Sequence, residues 1–127
     1  MKDNRIVAVQ SLSGTGSLRV GLDFMKEWYP KKDPIVYTPD PTWPTHRGIA
    51  TRAGFEWKNY RYYDRKNKCF DLTGMLEDLD KADNESIITL HVCAHNPTGC
   101  DPSQDDWKKI LEVVKRKQHF CMFDSAY

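Results

Sequence analysis

The stretch SIITLHVCA, residues 86–94, is apolar at nearly every position. A strand wetted on one face alternates apolar and polar residues. A run without that alternation suits a strand buried on both faces, as in a parallel sheet covered by helices. The chain on either side fits this reading. Downstream, Ser103 and Asp106 have the spacing of a capping box. Trp107, Ile110, Leu111 and Val114 then recur on one helical face. Asp105 and Asp106 at its start, with Lys115, Arg116 and Lys117 at its end, suit the helix dipole. HFCMFD (119–124) is a final strand. Upstream, Met75, Leu76 and Leu79 predict a helix over 72–82, and the aromatic-rich stretch 55–63 a strand. A short helix over 45–53 stops at Gly54, and PIVYTP (34–39) is another strand. Leu18, Leu22 and Met25 predict a helix over 17–29 that ends at Pro30, and RIVAVQ (5–10) is a first strand. Strand and helix alternate throughout. The expectation is an α/β fold, a mostly parallel sheet with helices on both faces, forming one domain.

Bulk properties exclude several classes. The 127 residues carry a net charge of +1, so no large field favours nucleic acid or an acidic membrane. No apolar run approaches the roughly 18 residues of a membrane span, and residues 1–10 show neither a signal nor a transit pattern. The four cysteines, Cys69, Cys93, Cys100 and Cys121, form no CxxC pair and read as reduced thiols of an intracellular protein.

In open α/β sheets, ligands collect at the carboxyl ends of strands, so the residues that follow each strand matter most. After the first comes Ser11-Leu12-Ser13-Gly14-Thr15-Gly16-Ser17, a small-residue turn into a helix. Free backbone N–H groups and the helix dipole there suit a phosphate. The same residues also suit an ordinary tight turn. A Walker loop is excluded because no Gly-Lys-Ser/Thr follows, and a dinucleotide GxGxxG because Arg19 stands where a third glycine is needed. After the second strand, Trp43 sits between Pro41 and Pro44, presented either to a planar ring or as a lid on the core, with His46 nearby. After the fourth, Asn96 can donate its side-chain amide to a ligand oxygen, and Pro97 fixes the turn. Zinc at His91, Cys93, His95 and Cys100 is rejected because no tight ligand pair is present, and no metal site is expected. After the last, Asp124 places a carboxylate in a partly dry position, where it needs a cationic partner or good hydrogen bonds, or else caps a helix to follow.

Taken in order, a phosphate cradle, a stacking aromatic, a donor amide and a carboxylate are what a phosphorylated pyridinium ring requires. The segments 11–21, 41–46, 60–64, 91–102 and 123–127 resemble aspartate aminotransferases, with His-Val-Cys-Ala-His-Asn-Pro-Thr-Gly-Cys-Asp-Pro the most specific. Asn-Pro-Thr-Gly alone would indicate the wider class of pyridoxal-phosphate enzymes.

The resemblance implies pyridoxal 5'-phosphate as cofactor. Ser13, Gly14 and Thr15 would hold its phosphate, and Trp43 would stack on its ring. Asn96 and Tyr127 would bond the ring oxygen, and Asp124 would pair with the ring nitrogen. Trp43 and Asn96 would also touch substrate, His46 would orient Asp124, and His95 would line the pocket. Cis bonds before Pro41 and Pro97 are implied as well. The implied reaction transfers an amino group between L-aspartate and 2-oxoglutarate. An aromatic or tyrosine aminotransferase is the nearest alternative. A non-catalytic truncated form that binds a partner subunit is another.

In the family's pattern, the Schiff-base lysine and the arginines that bind substrate carboxylates fall beyond residue 127, so no catalytic residue is assigned. The expectation is a partial large domain over 1–127, cut at both ends and without the small domain. Later strands of the family's sheet would separate its first and last strands. Two inner edges would then lie unpaired, and the chain alone would be inactive and poorly folded. The full protein would be a homodimer of the cytoplasm or mitochondrial matrix that binds neither nucleic acid nor membrane.

Overall fold

A computed structural model describes residues 6–127. The elements run α1 (Ser13–Trp28), β1 (Val36–Asp40), α2 (Thr45–Arg52), β2 (Trp57–Arg61), β3 (Tyr63–Asp64), β4 (Cys69–Phe70), α3 (Leu72–Lys81), β5 (Ile87–His91), α4 (Gln104–Lys117) and β6 (Phe120–Asp124). Four strands form one sheet in the order β2-β1-β5-β6, every pair parallel. The predicted strand over 86–94 is the inner strand β5, buried from Ile87 to Leu90.

Two apolar layers flank the sheet. Leu18, Leu22 and Met25 of α1 and Ile49 and Ala50 of α2 pack with Val36 and Ile87 on one face. Met75 and Leu79 of α3 and Ile110, Val113 and Val114 of α4 pack with Tyr37, Tyr60, Ile88 and Leu90 on the other. Helices therefore cover both faces, as the alternation predicts. The capping box forms: the Ser103 side chain accepts from the Asp106 N–H, and Asp106 returns the contact.

Four expectations are corrected. Of the expected first strand, residue 5 lies outside the described residues and residues 6–10 form no strand. Ile6, Val7 and Val9 are exposed, because a β-branched run becomes a strand only where a partner edge is available. The expected pair of inner edges is therefore not seen; among the described residues the sheet simply ends at β6 and β2. The strand over 55–63 is interrupted. β2 pairs with β1 only to Arg61, and Tyr63–Asp64 then turns into an antiparallel hairpin with Cys69–Phe70. Finally, α1 starts at Ser13 and not at Ser17. The bonds before Pro41 and Pro97 are cis.

Candidate functional site

β1, β5 and β6 run parallel, so the residues after them and the start of α1 meet at one end of the sheet. They enclose a cleft of about 690 Å³. Its lining includes Ser13, Gly14, Thr15, Trp43, Asn96, Asp124 and Tyr127. These are the residues that the sequence reading groups around one ligand.

The start of α1 is open. Leu12 precedes the helix and gives no side-chain cap, and no acidic residue occupies the first turn. The Gly16 N–H reaches the Leu12 carbonyl at 3.1 Å. The N–H groups of Ser13, Gly14 and Thr15 precede that first intrahelical bond and have no carbonyl behind them in the helix. Ser17 Oγ donates to the Ser13 carbonyl at 3.0 Å and contacts Ser11 Oγ at 2.6 Å, which ties the turn together. A Cβ built on Gly14 would meet no protein atom within 4 Å, so its backbone is open to a ligand. An uncapped positive helix end carrying hydroxyls suits a phosphate.

Trp43 stands edge-on to His46, with ring centroids 5.5 Å apart. His46 is buried, and its Nε2 lies 2.9 Å from Asp124 Oδ2. Its Nδ1 lies 2.7 Å from Thr42 Oγ1, which is 3.4 Å from His91 Nε2. His91 Nδ1 accepts the Asn96 N–H at 3.2 Å. This last donor is a backbone amide, so its direction is certain, and it orders the whole chain. His91 Nδ1 carries no proton, so its Nε2–H donates to Thr42. The Thr42 hydroxyl then donates to His46 Nδ1, and His46 Nε2–H donates to Asp124. Burial lowers the pKa of both His46 and His91 and keeps them neutral, as this order requires.

His46, His91 and Asp124 also lie close enough to suggest a metal site. The tautomers argue against one. His91 could offer Nε2 to a metal only by moving its proton to Nδ1, where it would face the Asn96 N–H.

His95 differs from its expected place. It is 1% exposed and lies outside the cleft lining, whereas His91 lines the wall. Two residues of the chain, Thr42 and His91, were not given these roles from sequence. Their signals were present: Thr42 and His46 are four apart at the start of a helix, and His91 continues the Ile87, Thr89 face of β5.

The whole chain, residues 1–127, matches the family described as Aminotransferase class I and II. It is 48% identical over 127 residues to the mitochondrial aspartate aminotransferase of Xenopus tropicalis, covering 100% of this chain and 30% of that protein. The solved mitochondrial aspartate aminotransferase of Trypanosoma brucei superposes with a TM-score of 0.94 at 45% identity, over 99% of this chain and 33% of that one. The aromatic-amino-acid aminotransferase of Burkholderia pseudomallei, solved covalently bound to pyridoxal phosphate, gives 0.87 at 40% identity, over 92% of this chain and 29% of that one. The chain thus spans about 30% of the length of the curated relative.

Proposed function

Because the chain belongs to the aminotransferase class I and II family, we propose that it forms the cofactor-binding part of a pyridoxal 5'-phosphate enzyme that transfers an amino group between L-aspartate and 2-oxoglutarate. The observation that carries this reading is the cleft itself. An open helix start, an indole, an amide and a carboxylate face one volume of about 690 Å³. The donor set fits the cofactor in chemistry and in order.

The first-turn N–H groups of Ser13, Gly14 and Thr15, with the Ser13 and Thr15 hydroxyls, would receive the phosphate dianion. Trp43 would cover one ring face. Asn96 and Tyr127 would donate to the ring oxygen. Asp124, held by His46 at 2.9 Å, would keep a proton on the ring nitrogen. When bound, the protonated ring supplies an electron sink for the pair left as the substrate loses its Cα proton. Trp43 and Asn96 would also border the amino-acid or 2-oxo-acid substrate. Among the described residues no lysine lines the cleft, and the covalent lysine is assigned to none of the lysines in this chain. We read residues 1–127 as part of a larger cofactor-binding domain whose protein is a homodimer. Among the described residues no helix is long and apolar enough to cross a membrane. The cytoplasm is the proposed compartment, and the mitochondrial name of the Xenopus relative supports the matrix as the alternative.

The test is titration of the protein that carries this chain with pyridoxal 5'-phosphate, followed by ligand absorbance and tryptophan quenching. Asp124→Ala removes a hydrogen bond to a charged group, worth about 1.5–3 kcal/mol, so binding should weaken about 10- to 100-fold. Pyridoxal without its phosphate should also bind more weakly, and Thr15→Ala should narrow that difference. Equal binding of both ligands, unaffected by either substitution, would overturn the reading. The 40% identity to the Burkholderia enzyme supports aromatic amino acids as the second substrate class. Relative kcat/KM for aspartate and tyrosine in the protein that carries this chain decides between them.

A further inference from the structure

His95 has no part in the cleft wall, and its chemistry is unexplained by that wall. It is 1% exposed, and its Nε2 has no hydrogen-bond partner among the described residues. A buried polar atom left this way carries a desolvation cost that a phenylalanine would avoid. The ring nonetheless has well-defined neighbours. Its Nδ1 lies 2.8 Å from Thr98 Oγ1, which also accepts the Cys100 N–H at 3.2 Å. One face stacks on Tyr62, with centroids 3.8 Å apart and planes 16° apart. Tyr62 is anchored in turn, because its hydroxyl donates to the Cys100 carbonyl at 2.7 Å and its ring packs on Phe70 at 4.9 Å. On the other side stands His91, at 4.4 Å and 32°.

His91 is the link of the cleft chain that most needs support. Its two hydrogen bonds, 3.2 Å to the Asn96 N–H and 3.4 Å to Thr42 Oγ1, are both longer than the usual 2.9–3.0 Å or so. Turning the ring over would put carbons where both nitrogens stand. Two long bonds hold one orientation weakly, and the packed ring beside them supplies the rest.

We propose that His95 is a positioning residue. Wedged between Tyr62 and His91, it holds the His91 ring with Nδ1 toward Asn96 and Nε2 toward Thr42, and so completes the line of hydrogen bonds that ends on Asp124. Its bearing on the cofactor's ring nitrogen rests on the function proposed above. The positioning does not, so it is tested without cofactor.

Ring-nitrogen NMR of the 15N-histidine-labelled protein that carries this chain, at pH 7.5, reads His46, His91, His95 and His119 once each signal is assigned by substitution. The expected pattern has His91 as a single neutral tautomer, protonated at Nε2. His95→Phe keeps a flat ring against His91 and should preserve that pattern. His95→Ala removes the ring and should move the two His91 nitrogens toward the tautomer average, with His46 following through Thr42. His119, whose Nε2 lies 2.9 Å from the Leu79 carbonyl, reports on the fold and should not change. If His119 moves in His95→Ala, His95→Leu, which refills the volume without a flat face, is read in its place. An unaltered His91 tautomer in the ring-less variant would overturn the proposal. So would its loss in His95→Phe with His119 unchanged. Failure of pyridoxal 5'-phosphate to bind would count against the function and leave this result standing.

Discussion

His46 and Asp124 are 78 residues apart in the chain, yet His46 Nε2 lies 2.9 Å from Asp124 Oδ2, with the two side chains 2% and 17% exposed. The contact joins the start of α2 to the carboxyl end of β6. It exists because β1 and β6, on either side of β5, run in the same direction and deliver their ends to one rim. A carboxylate so nearly enclosed needs a donor. A histidine held neutral by burial supplies one.

His46→Leu removes that donor and leaves Asp124 Oδ2 without it. A hydrogen bond to a charged group contributes about 1.5–3 kcal/mol, so stability at pH 7.5 should fall by about that amount in urea denaturation. His46→Leu combined with Asp124→Leu should cost less than the single change, because no unpaired carboxylate remains. A double variant as unstable as the sum of the singles would show that the two residues do not interact.

Acid should weaken the fold in a defined window. Burial, with neighbouring His91, pushes His95 from an ordinary value of 6.5 down to about 4. The folded state therefore resists protonation that the unfolded chain accepts. The associated stability is complete above pH 6.5, falls as pH drops below it, and is gone below about 4. That interval corresponds to on the order of 3 kcal/mol. His46 and His91 shift in the same direction and add to it. Urea midpoints from pH 7.5 to 4.5 should decline, and less steeply in His95→Phe. Parallel profiles for the two proteins would remove His95 as a contributor.

Thr89 is fully buried in β5, and its Oγ1 has no partner among the described residues. The neighbouring cavity, about 10 Å³, is lined by Leu18, Leu22, Val36, Ile49 and Met122 with His46. Both His46 nitrogens are already engaged, so a water there would lack the two or more polar partners it needs. Thr89→Val should therefore be neutral or stabilise by about 1 kcal/mol, read as an equal or higher urea midpoint. A clear loss of stability would reveal a partner for the hydroxyl.

Ser103 caps α4 through the Asp106 N–H at 3.2 Å, and its own N–H donates to Asp106 Oδ2 at 3.0 Å. Ser103→Ala should cost about 1 kcal/mol, and Ser103→Asp much less, since a carboxylate also caps. Thermal unfolding midpoints that rank the three proteins otherwise would contradict the cap.

The layers of the fold and most of the cleft's polar residues were legible in sequence because both follow from local regularities, whereas Tyr127 came only with the family resemblance. An unalternating apolar run marks a doubly covered strand, and a parallel sheet sends every strand end to the same rim. The pairing of His46 with Asp124 was available only through the family resemblance. The ends of elements were less legible. Residues 6–10 have strand composition without a strand, since pairing depends on an edge elsewhere in the chain.

By itself, the sequence determined where the doubly covered strand and the main helices fall, which residue caps α4, and which polar groups follow each strand, because these depend on side-chain chemistry and near neighbours. Only the tertiary structure decided that Thr42 and His91 complete the link from Asn96 to Asp124 and that His95 stands behind the cleft wall. Those arrangements depend on which face a ring presents across strands 49 to 78 residues apart, and no local pattern records that orientation.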